Sequence, residues 1–337
     1  MKVLHIIPRL KVGGAENLLA SLLPLLKKEV GEQQILIFDD TDALFAADFV
    51  VEKKKKLDIG FLFRLRKKIK EIQPDIVHTH LFGADVWGKL AARSLGIPVI
   101  TTEHGINESD EWYRNVMRKW VCKEGDIYVA CSKFVKNYVK GYCKNKAQVK
   151  VIYNGVNKLK TNKNKRKKPV FAFVGRLVKQ KQVHQAIKAF EPFEKEGKLF
   201  IFGEGPEKEK LQKVSKSKSI EFKGIEKNKN KIYPKIDAII ISGKNEGLSL
   251  VALEAFASKT FVFAHNSGGL KEIIKEKKTG LLFKDEKELQ KKIAWYLKNT
   301  EKVKKQVEDA YLSYQKHFAL KGQAKKYKKI YESTLSK

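Results

Sequence analysis

The chain has 337 residues, 42% of them apolar, which suits two ordinary domain cores and excludes a disordered protein. No run approaches the roughly 18 consecutive apolar residues of a membrane span, so no membrane-crossing helix is expected. The formal net charge of +32 points to an anionic membrane surface or to a lysine-biased composition; only eight of the 70 basic residues are Arg, so nucleic acid is not expected as a partner. The N-terminus lacks the long apolar core of a signal peptide, which predicts a cytoplasmic protein. Apolar runs and amphipathic repeats alternate from there. Strands are predicted over 3–7, 34–38, 75–78, 99–102, 126–130 and 149–153, and helices over 16–28, 61–72 and 84–95. Residues 158–168 contain one large apolar side chain, Leu159, and read as a linker. The pattern then restarts, with strands over 169–174, 198–202, 219–223, 238–241 and 261–264. Helices are predicted over 183–190, 207–214 and 248–257.

Strands alternating with helices imply parallel sheets covered on both faces. The expected architecture is α/β, with two doubly wound Rossmann-like domains, 1–157 and 169–318, facing a central cleft. A C-terminal helix, 319–337, is expected to return to the first domain. Ligands in such sheets bind beyond the carboxyl ends of the strands. Several motifs fall there. Gly13 and Gly14 join the first strand to a helix, where the backbone approaches a ligand and free amides face a phosphate. Arg176 and Lys181 follow a strand and offer two cations to a diphosphate. Glu246 precedes a helix that contains Glu254, and the amides of Gly247, Leu248, Ser249, Leu250 and Val251 are expected to form its unpaired first turn. Two carboxylates flanking an anion site suit the hydroxyls of two sugars. His78, His80, Glu103 and His104 cluster at strand ends; His78 and His80 are expected on opposite faces, no fourth ligand is evident, and no metal is expected. His104 is the candidate for positioning or proton transfer. Asp40-Thr41-Asp42 has the DxD spacing of manganese sites but reads as a polar turn. Cys122, Cys131 and Cys143 lack metal spacing and read as three reduced thiols. The basic helix 61–72 beside Lys53 to Lys56 is a candidate membrane-docking element, with Phe61 and Phe63 inserting shallowly.

The order of these motifs resembles the retaining glycosyltransferases of family 4, which have the GT-B fold. The resemblance runs through Gly13-Gly14, Pro74 to His80, Thr102 to Gly105, Ala130 to Ser132, Asn154-Gly155, Gly175-Arg176-Leu177 with Lys181, and Gly203-Glu204-Gly205-Pro206. It continues through Glu246 and Glu254 to Gly268-Gly269 and Thr279-Gly280. It implies a nucleotide-diphosphate sugar donor (UDP- or GDP-linked), a glycan or lipid-linked acceptor, and no metal or other cofactor. By the same resemblance Gly14 lies near the donor diphosphate and His104 beside the donor sugar. Arg176 and Lys181 bind the diphosphate. Glu246, with the amides of Gly247 to Ser249, holds the sugar hydroxyls. The amides of Leu250 and Val251 meet the phosphate, and Glu254 binds the ribose. Gln182 departs from the pattern, since the family has glycine after the lysine.

Overall fold

The computed structural model describes every residue except 12, 42, 55–57, 107–111, 145, 162–165 and 337. The chain divides into two compact units, Met1–Gly155 with Leu320–Lys337, and Val156–Ala319.

In the first unit the elements are β1 (Val3–Arg9), α1 (Gly14–Glu29), β2 (Gln33–Asp39), β3 (Phe49–Val50), α2 (Ile59–Ile72), β4 (Ile76–His80) and α3 (Leu81–Arg93). They continue with β5 (Val99–Glu103), α4 (Trp112–Val121), β6 (Ile127–Ala130), α5 (Lys133–Cys143) and β7 (Gln148–Val151). The strands form one parallel sheet in the order β3-β2-β1-β4-β5-β6-β7. Both faces of its central strands are covered; Leu4, Ile6, Ile76, Val77 and Ile100 are all fully buried, and the polar side chains of His5, His78, His80 and Thr102 are buried among them.

Helix α2 follows the 3.6-residue rule. Phe61, Leu65, Ile69 and Ile72 face the core, and the Asp58 side chain caps the start by accepting from the Phe61 amide at 2.9 Å. Phe61 is therefore a core residue and does not insert into a membrane; Phe63, on the opposite side, is 68% exposed. Helix α3 packs between α2 and α4. Helix α4 carries an exposed stripe at helical spacing, Trp112, Val116 and Trp120, that the sequence reading overlooked.

Cys122 and Cys143 form a disulfide with 5.7 Å between Cα atoms, which corrects the expectation of three thiols; Cys131 is buried outside any disulfide. The two cysteines lie at the adjoining ends of α4 and α5, which pack on each other, so spacing along the chain carries no sign of the pair.

The second unit contains β8 (Val170–Val174), α6 (Val183–Phe190), β9 (Lys198–Phe202), α7 (Lys208–Val214), β10 (Ile220–Gly224), α8 (Lys229–Ile232) and β11 (Ala238–Ile241). After these come α9 (Leu250–Ala257), β12 (Phe261–His265), α10 (Leu270–Ile273), β13 (Leu281–Phe283), α11 (Glu286–Lys298) and α12 (Thr300–Ser313). Its parallel sheet runs β10-β9-β8-β11-β12-β13. Phe171, Phe190, Phe261 and Phe263 fill its core, with the partly buried Tyr296 ring packed against Phe171, Phe261 and Phe263.

The segment read as a linker is tied to this unit at both ends. The Lys160 amide donates to Asn230 Oδ1 at 2.8 Å, and Arg166 pairs with Asp237 at 3.2 Å; residues 162–165 lie outside the described set. Helix α13 (Leu320–Leu335) belongs to the first unit, where Tyr327 and Tyr331 are buried and bond to Thr102 and His78. No described helix is long and apolar enough to cross a membrane.

Candidate active site

The strand order of the second sheet reverses direction between β8 and β11, which is where doubly wound sheets open a ligand crevice. Lys181 follows β8 and Glu246 follows β11, and their side chains meet there, Nζ donating to Oε1 at 2.7 Å. The Ser242 hydroxyl donates to the Lys181 carbonyl at 2.7 Å and fixes the lysine loop to the end of β11.

The Glu246 loop is clamped from the other side. The Gly269 amide donates to the Glu246 carbonyl at 2.8 Å, and the Asn245 amide donates to Ser267 Oγ at 3.0 Å. A Cβ on Gly269 would stand 1.9 Å from the Gly247 carbonyl oxygen, so only glycine permits this approach. Gly203 has the same role beside the Gly175 carbonyl, with a positive φ of 139°. Arg176 is exposed and has no ion pair among the described residues.

Helix α9 begins at Leu250, with Ser249 as N-cap, so the amides of Gly247 and Leu248 sit in the loop before it and not in its first turn. This corrects the expected helix start. The loop is long because Glu246 and Gly247 are held against Gly268-Gly269 before the helix can begin. The N-cap makes no side-chain bond to the helix, which leaves the amides of Leu250 and Val251 unpaired within it. Glu254 is buried inside α9. Its carboxylate contacts Lys229 Nζ and accepts from the Tyr233 hydroxyl at 2.8 Å. Lys229 and Tyr233 were missed in the sequence because each is an ordinary polar residue outside a motif, and Ser242 and Ser267, which lie at the edges of the glycine-containing stretches, carry no pattern of their own that marks a role.

In the first unit the corresponding reversal lies between β1 and β4. Gly13 is the extended N-cap of α1, and the Glu16 carboxylate fills the space where a Gly13 Cβ would be, 2.2 Å from Oε2. Helix α1 thus starts at Gly14, two residues before the expected position. His104 lies just beyond β5. Its Nε2 is 3.1 Å from His80 Nδ1, and its Nδ1 is buried with no hydrogen-bond partner among the described residues. Burial lowers the His104 pKa to about 4, so the ring is neutral at pH 7.

His78 and His80 lie on the same face of β4, with ring centroids 4.2 Å apart, not on opposite faces. Side chains two residues apart in a strand share a face. With His5 they place three nitrogens within 4.8 Å of one another. Every ring nitrogen of the three already has a protein partner, namely Gln33, His80, Tyr331, Thr102, His5 or His104. As placed, these nitrogens form a hydrogen-bonded row.

Asp40 and Thr41 form a turn after β2, where hydrogen bonds from Thr41 hold Asp39 below the usual carboxylate range; Asp42 lies outside the described residues. The turn borders a cavity of 1080 Å³ in the first unit, lined by Arg9, Lys54, Phe82, Trp87 and Arg114 among others.

Residues 12–158 match Glycosyltransferase Family 4, and residues 157–313 match Glycosyl transferases group 1. An uncharacterized glycosyltransferase of Methanocaldococcus jannaschii is 28% identical over 83% of this chain and 82% of its own. Alpha-monoglucosyldiacylglycerol synthase of Streptococcus pneumoniae is 28% identical over 65% of this chain and 58% of its own. The crystal structure of Anabaena Alr3699/HepE in complex with UDP superposes with a TM-score of 0.84 at 16% identity, covering 99% of this chain and 100% of that one. The twin parallel sheets, their strand-end glycine loops and these matches define a glycosyltransferase of the GT-B fold.

Proposed function

We propose that the protein is a retaining, metal-independent hexosyltransferase that moves a sugar from a UDP- or GDP-sugar to a glycan or lipid-linked acceptor. The Lys181–Glu246 pair, clamped at the reversal point of the second sheet, carries this reading. In it, Lys181 and Arg176 stabilise the leaving diphosphate, where charge grows in the transition state. Glu246 and the amides of Gly247 to Ser249 hold the sugar hydroxyls. The amides of Leu250 and Val251 meet the phosphate, and Glu254 holds the ribose. Within the first unit, Gly13, Gly14 and His104 are the candidate ligand-contacting residues. Two cations do the work that a divalent metal does elsewhere. The UDP bound by Anabaena Alr3699/HepE supports a nucleotide donor, and the lipid product named in the pneumococcal synthase supports a lipid-linked acceptor. The test is nucleotide release from UDP-, GDP- and ADP-sugars with and without EDTA, followed by the anomeric configuration of the product. Turnover of one donor, undiminished by EDTA and with configuration kept, is expected; activity restored only by manganese, or an inverted product, overturns it.

The reading includes a place of work, the cytoplasmic face of an anionic membrane. Helices α2 and α4 flank α3 in one layer and carry exposed apolar residues beside exposed lysines. On α4 these are Trp112, Val116 and Trp120, 78%, 53% and 64% exposed, with Lys119; on α2 they are Ile59 and Phe63, with Arg66, Lys67 and Lys70. Tryptophan beside lysine is the composition of an interfacial helix. Lys53 is described, whereas Lys55 and Lys56 lie outside the described residues. Flotation with phosphatidylglycerol vesicles is expected, with none on neutral vesicles and release as salt screens the charge. Equal binding to both vesicle types, or none, removes the membrane.

A further inference from the structure

Four polar side chains form a row across neighbouring strands of the first sheet. Gln33 stands on β2, His5 on β1, His80 on β4 and His104 just after β5, which follows the spatial strand order. The chemistry of the first member decides the protonation of all the others. Gln33 Nε2 donates to the carbonyls of Gly31 at 3.2 Å and Glu32 at 3.0 Å, so its oxygen is the end that faces His5 Nε2, at 2.9 Å. An amide oxygen only accepts, so His5 Nε2 carries the proton. A neutral imidazole has one N–H, which leaves His5 Nδ1 as an acceptor. It lies 3.0 Å from His80 Nε2, which must donate. His80 Nδ1 then accepts from His104 Nε2 at 3.1 Å. The row ends on His104 Nδ1, a buried lone pair with no partner among the described residues. Burial lowers the pKa of His5 and His104 to about 4 and that of His80 well below its usual 6.5, so the count of one proton per ring holds at pH 7. His78 bonds to Tyr331 and Thr102 and does not branch the row.

We propose that Gln33, His5 and His80 act as positioning residues that lock His104 in its Nε2–H tautomer, so that Nδ1 accepts a hydrogen bond from a hydroxyl of the bound ligand. The nitrogen that remains open on a histidine is set by the bond its other nitrogen makes, and here that control passes through two further rings. A lone pair on Nδ1 favours a hydroxylated ligand and disfavours one that presents another acceptor. The consequence for turnover rests on the glycosyltransfer reading; the tautomer does not.

Long-range proton–nitrogen NMR of the full chain, ring-labelled at its seven histidines, tests the lock at pH 7. Wild type is expected to show a protonated Nε2 and a pyridine-type Nδ1 at His104. Gln33→Met removes the acceptor three hydrogen bonds away. It is expected to move both His104 nitrogens toward tautomer-averaged values and to lower kcat by about tenfold, with KM for the donor changed less. Gln33→Glu keeps an acceptor beside His5 Nε2, at the loss of the bonds to the Gly31 and Glu32 carbonyls, and is expected to hold the His104 resonances closer to wild type than Gln33→Met does, a rescue that a packing role does not predict. His5→Leu cuts the row one link nearer and serves if Gln33→Met does not fold. A protonated Nδ1 on wild-type His104, or His104 resonances unmoved in both cut variants, overturns the lock. An intact lock without turnover of any sugar nucleotide overturns the glycosyltransfer reading and leaves the tautomer assignment standing.

Discussion

Gln182 stands where the resembling family places glycine, and it adopts a left-handed φ of 47° between Lys181 and helix α6. Its side-chain oxygen is also buried without a partner among the described residues. A non-glycine residue in this region costs about 1–2 kcal/mol, partly offset by the extra freedom that glycine gains on unfolding. Gln182→Gly should therefore stabilise the protein by about 0.5–1 kcal/mol, read as a raised denaturant midpoint at unchanged slope. At Lys181 the expectation is kinetic. Lys181→Ala should lower kcat more than it raises KM, because the cation matters most once the diphosphate is leaving; a change in KM alone refutes the leaving-group role. Glu254→Ala should lose about 1.5–3 kcal/mol of nucleotide affinity by calorimetry. That variant also leaves Lys229 without its acceptor and removes the nearer of the two acceptors of Tyr233, so Glu254→Gln, which keeps an oxygen for Tyr233, separates binding from stability.

At the level of elements, the loop between β11 and α9 places Glu246. Gly243 within it has little spare room. A Cβ there would lie 2.8 Å from Glu246 Oε1 and 3.2 Å from Lys181 Cδ. Both atoms belong to flexible side chains, so Gly243→Ala should fold with a melting temperature close to wild type while displacing the Lys181–Glu246 pair. A fall in kcat at unchanged stability is the expected result; unchanged activity would show that the pair's geometry is not needed. The strands and the helices that cover them were legible because buried parallel strands are short apolar runs and their helices repeat at 3.6 residues. The two-residue β3 and three-residue β13 were too short for a pattern, α5, α11 and α12 escaped because several of their positions are lysine, and α4 escaped because its exposed side carries Trp112, Val116 and Trp120, which blurs the apolar face. Lys181 and Glu246 were singled out from their neighbours in sequence, but their contact, across 65 positions, depends on β8 and β11 being adjacent. The histidine row was illegible for the same reason, since spatial strand order is not chain order.

For the whole molecule, the buried histidines make stability depend on acid. His5, His78, His80 and His104 all have lowered pKa values through burial, whereas the unfolded chain takes up these protons near 6.5. The unfolded state therefore binds more protons between pH 6.5 and about 4, and stability falls with pH across that window. Each such histidine contributes about 1.4 kcal/mol per pH unit. Denaturant unfolding at pH 7 and pH 5 should show a large loss at the lower pH, reduced by His5→Leu. A flat profile would mean that these rings are not buried as neutral groups.

The discontinuity of the first unit bears on how the protein is made. Tyr327 and Tyr331 of α13 are core residues of that unit, and Gln323 accepts from the Gly155 amide at 2.8 Å. On the ribosome, residues 1–155 emerge first yet lack these partners until the last helix is translated. The second unit, Val156–Ala319, is continuous and finishes earlier. A nascent chain stalled before α13 should thus hold a protease-resistant second unit beside a digestible first one, and stop codons near residue 320 should yield protein that is degraded although the Lys181 and Glu246 loops of the second unit are intact.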